Sequence, residues 1–215
     1  MRIVKEAEER RNEILDESEK LFVKKGFNGT STNDILESVG IARGTLYYHF
    51  KSKEDIMDAL IERYNSKIIS LARKIADDKK APVFERIFRV ILSIKIQDED
   101  SKQVIEHIHK PQNALMHQKI IKMLIESLTP IFTDIIDDGI KQGLFATPYP
   151  YECMEMIVTY ANIAFDSDVI DMDKKNREKK MEAMFFNIER LLKAEEGSFA
   201  SVINFIDSGK ENNNE

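Results

Sequence analysis

Residues 31–53 read STNDILESVGIARGTLYYHFKSK, and this stretch decides the fold of the N-terminal part of the chain. Ser31 offers an N-cap with Asp34 three residues further on, which predicts a helix over about 32–39 that ends at Gly40. A second short helix is predicted over 42–49. Two short helices joined by a tight turn are typical of a helix-turn-helix.

The two faces of this stretch differ in chemistry. Its apolar side chains predict a small core that packs on Leu21 and Phe22 of a preceding helix over about 6–25. They are Ile35, Leu36, Val39, Ile41, Leu46 and Phe50. The side chains left on the outer side of the second helix are Arg43, Gly44, Thr45, Tyr47 and His49. Because hydrogen-bond donors without acidic neighbours suit a polyanion, this face indicates nucleic-acid binding.

Gly44 lies inside the second predicted helix, where glycine costs about 1 kcal/mol relative to alanine. A helix tolerates that cost where another molecule must approach its backbone closely, and the major groove of DNA is such a surface. The alternative is that Gly44 merely begins the helix.

The charge distribution agrees with a DNA-binding N-terminal segment. The net charge of −6 argues by itself against a nucleic-acid binder. Residues 1–53 nevertheless carry ten basic and nine acidic side chains, so the acidic excess lies in the rest of the chain. Residues 38–53 contain Arg43, Lys51 and Lys53 and no acid, which indicates a local basic surface.

The remaining sequence has helical periodicity throughout and few strand signals. Helices are predicted over 53–76, 83–97, 101–109, 113–142 with a kink at Pro130, 151–166 and 174–193, with room for a short one at 199–206. We therefore expect an all-α fold of about nine helices or more. It divides into a helix-turn-helix domain over 1–53, a helical ligand-binding and dimerisation domain over 54–206, and a disordered tail over 207–215.

Composition limits the compartment and the chemistry. The single cysteine, Cys153, cannot form a disulfide within one chain. The first residues are densely charged and lack an apolar signal core, and no apolar run approaches the roughly 20 residues of a membrane span. We expect a cytoplasmic, nucleoid-associated protein with no membrane partner.

The helix-turn-helix stretch resembles the DNA-binding domain of the TetR/AcrR family of bacterial regulators. The resemblance lies in Gly26-Phe27, Thr30-Ser31, Ile35 and the run from Gly40 through Lys53, which contains Thr-Leu-Tyr-Tyr-His-Phe without interruption. Leu36 departs from the family, in which a small residue is common at this position. The run from Gly139 to Phe145 is similar to a family turn that precedes the dimer helices.

The resemblance implies a role for each position of this face. Arg43 would read base edges in the major groove, where its guanidinium can bond guanine at two points. Thr32 and Asn33 would face phosphates, and Gly44 and Thr45 would lie against the DNA backbone.

The last four positions complete the expected DNA contacts. Tyr47 would donate its hydroxyl to a phosphate, Tyr48 would contact a sugar or a thymine methyl group, and Lys53 would neutralise a phosphate. His49 is expected to pack and hydrogen-bond at the domain junction rather than read bases. For Arg10 and Arg11 a solvated helix face is favoured over contact with the DNA backbone.

A symmetric dimer is expected, because two helix-turn-helix motifs read a palindrome with half-sites about 34–36 Å apart or a multiple of this. The resemblance implies a four-helix bundle made by the last two helices of each chain. The candidate interface residues are Met154, Ile157, Val158, Ala161 and Phe165 on the first helix and Met181, Met184, Phe185, Ile188 and Leu192 on the second. The alternative is that these stripes pack only within one chain.

The resemblance also implies a small hydrophobic or amphipathic inducer bound between residues 54 and 170. The candidate lining residues are Phe84, Phe88, Leu92, His109, Met116, Met123 and Tyr160. Each of them taken singly is also compatible with ordinary core packing. Inducer binding would shift the short helix that ends near His109, which would push the helix that begins at Lys53 and so alter the spacing of the two DNA-binding heads.

Two other classes of function stay open. A metal enzyme is disfavoured, because His107 and His109 are two residues apart on a predicted helix and point in different directions, and because no paired metal motif is present. We expect no catalytic residue, no metal and no cofactor. An architectural or cell-division factor with the same fold but no inducer is the second alternative. The operator, the inducer, the regulated genes and the choice between repression and activation lie outside the sequence.

Overall fold

The computed structural model describes residues 2–95, 113–166 and 169–199. These residues form eight α-helices and no strand, which confirms the all-α prediction. The helices are α1 Arg2–Lys25, α2 Thr32–Val39, α3 Arg43–His49, α4 Lys53–Ala76, α5 Val83–Lys95, α6 Ala114–Lys141, α7 Pro150–Ala164 and α8 Lys174–Leu192. The helix predicted over 101–109, most of that over 199–206 and the predicted tail lie outside the described residues.

The predicted start and end of α2 are confirmed. The Asp34 N–H donates to the Ser31 hydroxyl over 3.1 Å, and the Ser31 N–H donates to the Asp34 carboxylate over 2.7 Å, which is a reciprocal capping box. Gly40 ends the helix with a φ of 72°, a backbone conformation that side-chain-bearing residues rarely adopt. The next helix therefore begins only three residues later.

The turn between α1 and α2 is closed by Thr30. Its buried hydroxyl donates to the Gly26 carbonyl over 2.8 Å, so it satisfies a backbone acceptor at the end of α1. The Phe22 and Phe27 rings meet edge to face with centroids 5.2 Å apart. The Gly-aromatic and Thr-Ser pairs of the sequence thus fix the shape of this turn.

The described residues fall into two compact units. Unit 1 contains residues 2–67 and 113–122, and unit 2 contains 68–95, 123–166 and 169–199. Both α4 and α6 contribute residues to each unit. The fully buried side chains of unit 1 include Ile14, Leu15, Ile35, Ile56, Met57 and Leu60. The predicted functional boundary at residue 53 stays a prediction.

Unit 2 has an apolar core made by α4, α5, α6, α7 and α8. The run from Gly139 to Phe145 explains part of its packing. A Cβ atom at Gly139 would lie 2.4 Å from the Phe145 ring, so only glycine allows that ring to fold back on α6. Gly143 turns the chain with a φ of 75°. The Phe145 ring then packs against Phe84 and Phe199, with centroids 5.7 and 6.1 Å away.

A buried arginine joins α4, α5 and α6 within unit 2. Arg86 is 1% exposed, and its Nη1 donates to the Ala76 carbonyl and to Asp138 Oδ2, each over 2.8 Å. Lys79 also donates to Asp138. Burial raises the pKa of Asp138, but the hydrogen bonds and charges of Lys79 and Arg86 outweigh it and lower the pKa to about 2.

Pro130 lies inside α6 and does not end it, as predicted for a single helix over 113–142. No helix in the described part of the chain has the length and apolar character needed to cross a membrane.

Candidate DNA-binding and ligand-binding sites

Helix α3 buries one side and exposes the other. Leu46 is buried, whereas Tyr47 and Tyr48 are 48% and 76% exposed. Asn33, Arg43 and Gly44 are exposed as well, and Thr32, Thr45, His49 and Lys53 are half-buried. The nine positions predicted to contact DNA therefore all retain accessible surface.

Arg43 is oriented by the preceding helix. Its Nη2 donates to Asn33 Oδ1 over 2.9 Å, so an amide oxygen from the first turn of α2 holds the guanidinium. A guanidinium has five N–H donors, and the remaining donors can meet another acceptor. Because Asn33 is neutral, the charge of Arg43 is not compensated by this bond.

Gly44 faces open space. A Cβ atom at this position would meet nothing within 4 Å, and the φ of Gly44 does not fall in the left-handed region. Neither packing within the protein nor backbone conformation requires glycine here. The fold therefore does not explain this glycine, whereas the close approach of another molecule to the backbone of α3 would explain it.

Lys53 holds the α1–α2 turn. Its ammonium donates to the Phe27 carbonyl over 2.6 Å and to the Thr30 carbonyl over 2.8 Å, and it lies 4.2 Å from the centroid of the Phe27 ring. An ammonium has three N–H donors, so this geometry leaves one for a phosphate. Lys53 therefore has a structural contact that its predicted DNA role did not anticipate.

Asn113 binds the same turn from the other side. This residue is 2% exposed and lies just before α6, and its Oδ1 accepts the Phe27 N–H over 3.0 Å. The peptide groups on both sides of Phe27 are thus held by distant parts of unit 1. Sequence reasoning missed Asn113, because a lone asparagine before a helix carries no signal of a contact 86 residues away.

His49 packs at the end of α3. Its ring meets the Tyr48 ring edge to face with centroids 5.0 Å apart. Burial and the nearby Arg11 and Arg10 charges lower the pKa of His49, which favours the neutral imidazole. Arg11 lies over the Phe50 ring at 4.8 Å, and Arg10 pairs with Glu13.

Unit 2 contains a cavity of about 310 Å³, which is within the size range of small-molecule sites. Its walls come from α5, α6, α7 and α8 and from Phe165 and Phe199. The lining is apolar except for Asn162 and Arg177. Such a cavity has the chemistry of a site for a mainly apolar molecule.

The described residues predicted for a ligand pocket do not line this cavity. Phe84 packs in the aromatic cluster with Phe145 and Phe199, Met116 is buried in unit 1, and Tyr160 is exposed. Phe88, Leu92 and Met123 are half-buried and do not line the cavity, and His109 lies outside the described residues.

All ten residues predicted for the dimer interface line this cavity. Five of them are buried in unit 2 with 0–6% of their surface exposed: Met154, Val158, Phe185, Ile188 and Leu192. The other five, Ile157, Ala161, Phe165, Met181 and Met184, are half-buried. Helical spacing identified one apolar stripe on each helix, and within one chain these stripes line the cavity, while their part in a dimer interface stays a prediction.

The opposite faces of α7 and α8 carry exposed apolar side chains. They are Met156 and Tyr160 on α7 and Phe186 and Leu191 on α8. Arg190 lies 3.3 Å above the Phe186 ring. Single residues at helical spacing among glutamates gave little sign of this surface in the sequence.

In the part of the chain that the structure describes, no group of three His, Cys, Asp or Glu side chains could hold a metal ion. His107 and His109, weighed as metal ligands, lie outside it.

Two family models match the sequence. Residues 14–60 match the model for bacterial regulatory proteins of the tetR family, and residues 95–187 match the model for a tetracyclin repressor-like C-terminal domain. Together these ranges cover more than half of the chain.

Relatives of known description are helix-turn-helix transcriptional repressors and regulators. The chain is 26% identical over 147 residues to the HTH-type transcriptional repressor KstR2 of Mycobacterium tuberculosis (strain ATCC 25618 / H37Rv), which covers 67% of this chain and 73% of the relative. It is 26% identical over 153 residues to the HTH-type transcriptional regulator AcrR of Shigella flexneri, with 69% and 71% covered.

Solved structures share the fold. A TetR-family regulator from Pectobacterium atrosepticum has a TM-score of 0.58 at 22% identity and covers 87% of this chain and 96% of its own. A tetR-family regulatory protein from Rhodococcus RHA1 has a TM-score of 0.55 at 18% identity, with 87% and 98% covered.

The helix-turn-helix and these matches define a DNA-binding regulator of transcription, a class of protein that is not enzymatic. The chain belongs to the tetR family of bacterial regulatory proteins.

Proposed function

We propose that the protein is a repressor that binds palindromic operator DNA as a homodimer and is released by a small apolar or amphipathic molecule. The observation that carries the DNA-binding part is the outer face of α3. Arg43, Gly44, Tyr47 and Tyr48 are exposed together there, and the Asn33 contact orients Arg43 without cancelling its charge.

In this proposal α3 enters the major groove. Arg43 bonds the base edge of guanine with the donors that Asn33 does not use, and Gly44 allows the helix backbone to lie close to the duplex. Tyr47 and the third N–H of Lys53 meet phosphates, which position the helix without reading sequence. The descriptions of the relatives as transcriptional repressors and regulators support this assignment.

The dimer is proposed to form through the outward faces of α7 and α8. Met156, Tyr160, Phe186 and Leu191 are exposed there, whereas the inward stripes are buried or half-buried within their own chain. Aromatic residues and methionine are enriched at protein interfaces, which agrees with this face. A second copy would place two α3 helices on one palindrome.

The inducer is proposed to occupy the cavity of unit 2. It releases DNA only if it binds the DNA-free conformation more tightly than the DNA-bound one. A repressor with such a pocket shows a ligand-dependent rise in melting temperature, whereas an architectural factor of the same fold shows none.

The DNA-binding proposal is tested by selecting operator fragments from genomic DNA with the purified protein and then measuring affinity for the selected palindrome. Arg43→Ala should lose about 1–3 kcal/mol and relax preference at one base pair in each half-site. Arg10→Ala is the control, because Arg10 is paired with Glu13 on α1. Unchanged base preference in Arg43→Ala would refute base reading by this residue.

The dimer proposal is tested by sedimentation of Phe186→Asp. Phe186 is half exposed, so a charge there should give folded monomers. The buried Phe185 is unsuitable, since a charge at that position would disrupt the core of unit 2. A Phe186→Asp protein that stays dimeric would move the interface elsewhere.

A further inference from the structure

We infer that the cavity of unit 2 takes a molecule with an apolar body and a carboxylate, and that the Arg177 guanidinium binds the carboxylate. This inference rests on the proposed ligand response and specifies the chemistry of the ligand.

The polar groups of the cavity lie at one end. Helices α7 and α8 are joined by a short connection, so the last turn of α7 and the first turn of α8 lie at the same end of the pair. Asn162 and Arg177 belong to these two turns. At the other ends of the helices the lining side chains are apolar, as Met154 and Leu192 illustrate. A ligand that fits this arrangement is amphipathic and has one polar head.

Arg177 is exposed at this end of the cavity, and its charge favours an anionic head. Nη1 donates to the Phe165 carbonyl over 3.4 Å, and the guanidinium lies 5.6 Å from the centroid of the Phe165 ring. Among the described residues no carboxylate pairs with Arg177, and none of the lining residues is acidic. A carbonyl leaves the positive charge uncompensated, and the guanidinium keeps donors for the two oxygens of a carboxylate.

Arg177 and Lys180 both donate to carbonyls at the C-terminal end of α7, but only one of them borders the cavity. Basic side chains at a helix C-terminus are favoured by the helix dipole, and Lys180 has this role, since its ammonium donates to the Ala164 carbonyl over 3.5 Å. Lys180 does not line the cavity, whereas Arg177 does. These two cations at one helix end provide a matched pair of substitutions.

The test compares acids with alcohols of the same length. Binding of hexanoate, decanoate and tetradecanoate and of the matching primary alcohols to the full-length protein is measured by isothermal titration calorimetry. Wild type should bind the best acid about ten- to hundred-fold more tightly than its alcohol. Arg177→Gln should remove this preference and leave the affinity for the alcohol unchanged.

Two further variants make the result specific. Lys180→Gln should keep the preference for the acid, and Ala161→Phe, which fills the cavity, should weaken both compounds. Melting temperatures without ligand show whether each variant is folded. Equal affinity for acid and alcohol, or equal loss in Arg177→Gln and Lys180→Gln, would overturn the role of Arg177 but leave the cavity as a ligand site. If no compound bound at any length, this inference would fail, whereas the proposed ligand response would fail only if no apolar compound of any kind raised the melting temperature.

Discussion

Arg43 and Lys53 in unit 1 and Arg86 in unit 2 are all held by oxygen atoms, but the charge on those oxygens differs. The Asn33 amide holds Arg43 and two backbone carbonyls hold Lys53, so both cations keep their charge uncompensated. Arg86 is fixed by the Asp138 carboxylate. The first arrangement leaves charge for an external anion, and the second allows a cation to be buried.

The rest of unit 1 supports this distinction. Several of its cations away from α3 pair with carboxylates, among them Lys25 with Asp34 and Arg63 with Asp16 and Glu19. At Arg43 and Lys53, two predicted DNA contacts, the partners are neutral, and compensation there would weaken binding to phosphates. Arg177 in the cavity has a neutral partner too, which aligns it with Arg43 rather than with Arg86.

The largest expected effect concerns the carboxylate-paired cation. Asp138→Asn should lower the free energy of unfolding by about 2–5 kcal/mol, because Arg86 would stay buried with its charge uncompensated. Chemical denaturation followed by circular dichroism measures this loss. Asp134→Asn is the control, since Asp134 pairs with Arg73 in an exposed bridge, and its loss should stay below about 1 kcal/mol. Equal losses would remove the distinction between the two kinds of partner.

The same carboxylate predicts a dependence on pH. The pKa of Asp138 is lowered from 3.8 to about 2 in the folded protein. Its stabilisation is therefore complete above about pH 4 and is lost as the pH falls toward 2. Asp138→Asn should make the melting temperature less dependent on pH in this interval.

The fold and the exposed outer face of α3 could be predicted because their signals are local. Ser31, Gly40 and the apolar spacing of α2 and α3 lie within one continuous stretch, and each has a physical effect on its immediate neighbours. The family resemblance rests on the same residues. Helix ends such as Gly26 and Gly143 were predictable for the same reason.

The cavity could not be predicted, because it is assembled from positions far apart in the sequence. Ile91, Leu128 and Phe185 each carry the pattern of ordinary core residues, and only their arrangement leaves a space between them. The inward stripes of α7 and α8 carry the same spacing as an interface stripe. Asn113 and the Asn33–Arg43 bond likewise depend on tertiary approach.

A substitution at Asn113 tests whether a neutral hydrogen-bond acceptor stabilises the fold of unit 1. Asn113→Ala would leave the buried Phe27 N–H without this acceptor and should cost about 1–3 kcal/mol of stability. Hydrogen exchange should show faster exchange at the Phe27 amide and its neighbours. Asn28→Ala, an exposed change in the same turn, should leave exchange and stability nearly unchanged. Slow exchange at Phe27 in both variants would show that the turn does not depend on Asn113.

Substitution of Lys53, a cation held by two neutral carbonyls, should lower stability and also weaken the dependence of DNA binding on salt. Lys53→Ala should cost about 1–2 kcal/mol of stability, because the Phe27 and Thr30 carbonyls lose their donor. It should also lower the slope of log affinity against log salt by about one for every DNA sequence. Lys24→Ala, an exposed change at the end of α1, should alter neither quantity. A loss of stability with an unchanged salt slope would mean that Lys53 stabilises the α1–α2 turn but does not contact a phosphate.

Substitution of Gly44 should have the smallest effect on stability, and this effect should be stabilising where the others are destabilising. Since a Cβ atom there meets nothing within the protein, Gly44→Ala should leave stability unchanged or raise it by less than about 1 kcal/mol. The added methyl group should nevertheless weaken operator binding, because it occupies space that the duplex needs. Thermal melting and operator affinity, measured on one preparation, separate the two effects. Thr45→Ser is the control, as it keeps the hydroxyl group next to Gly44. Operator affinity that Gly44→Ala leaves at the wild-type value would mean that DNA does not approach the backbone of α3 at this position.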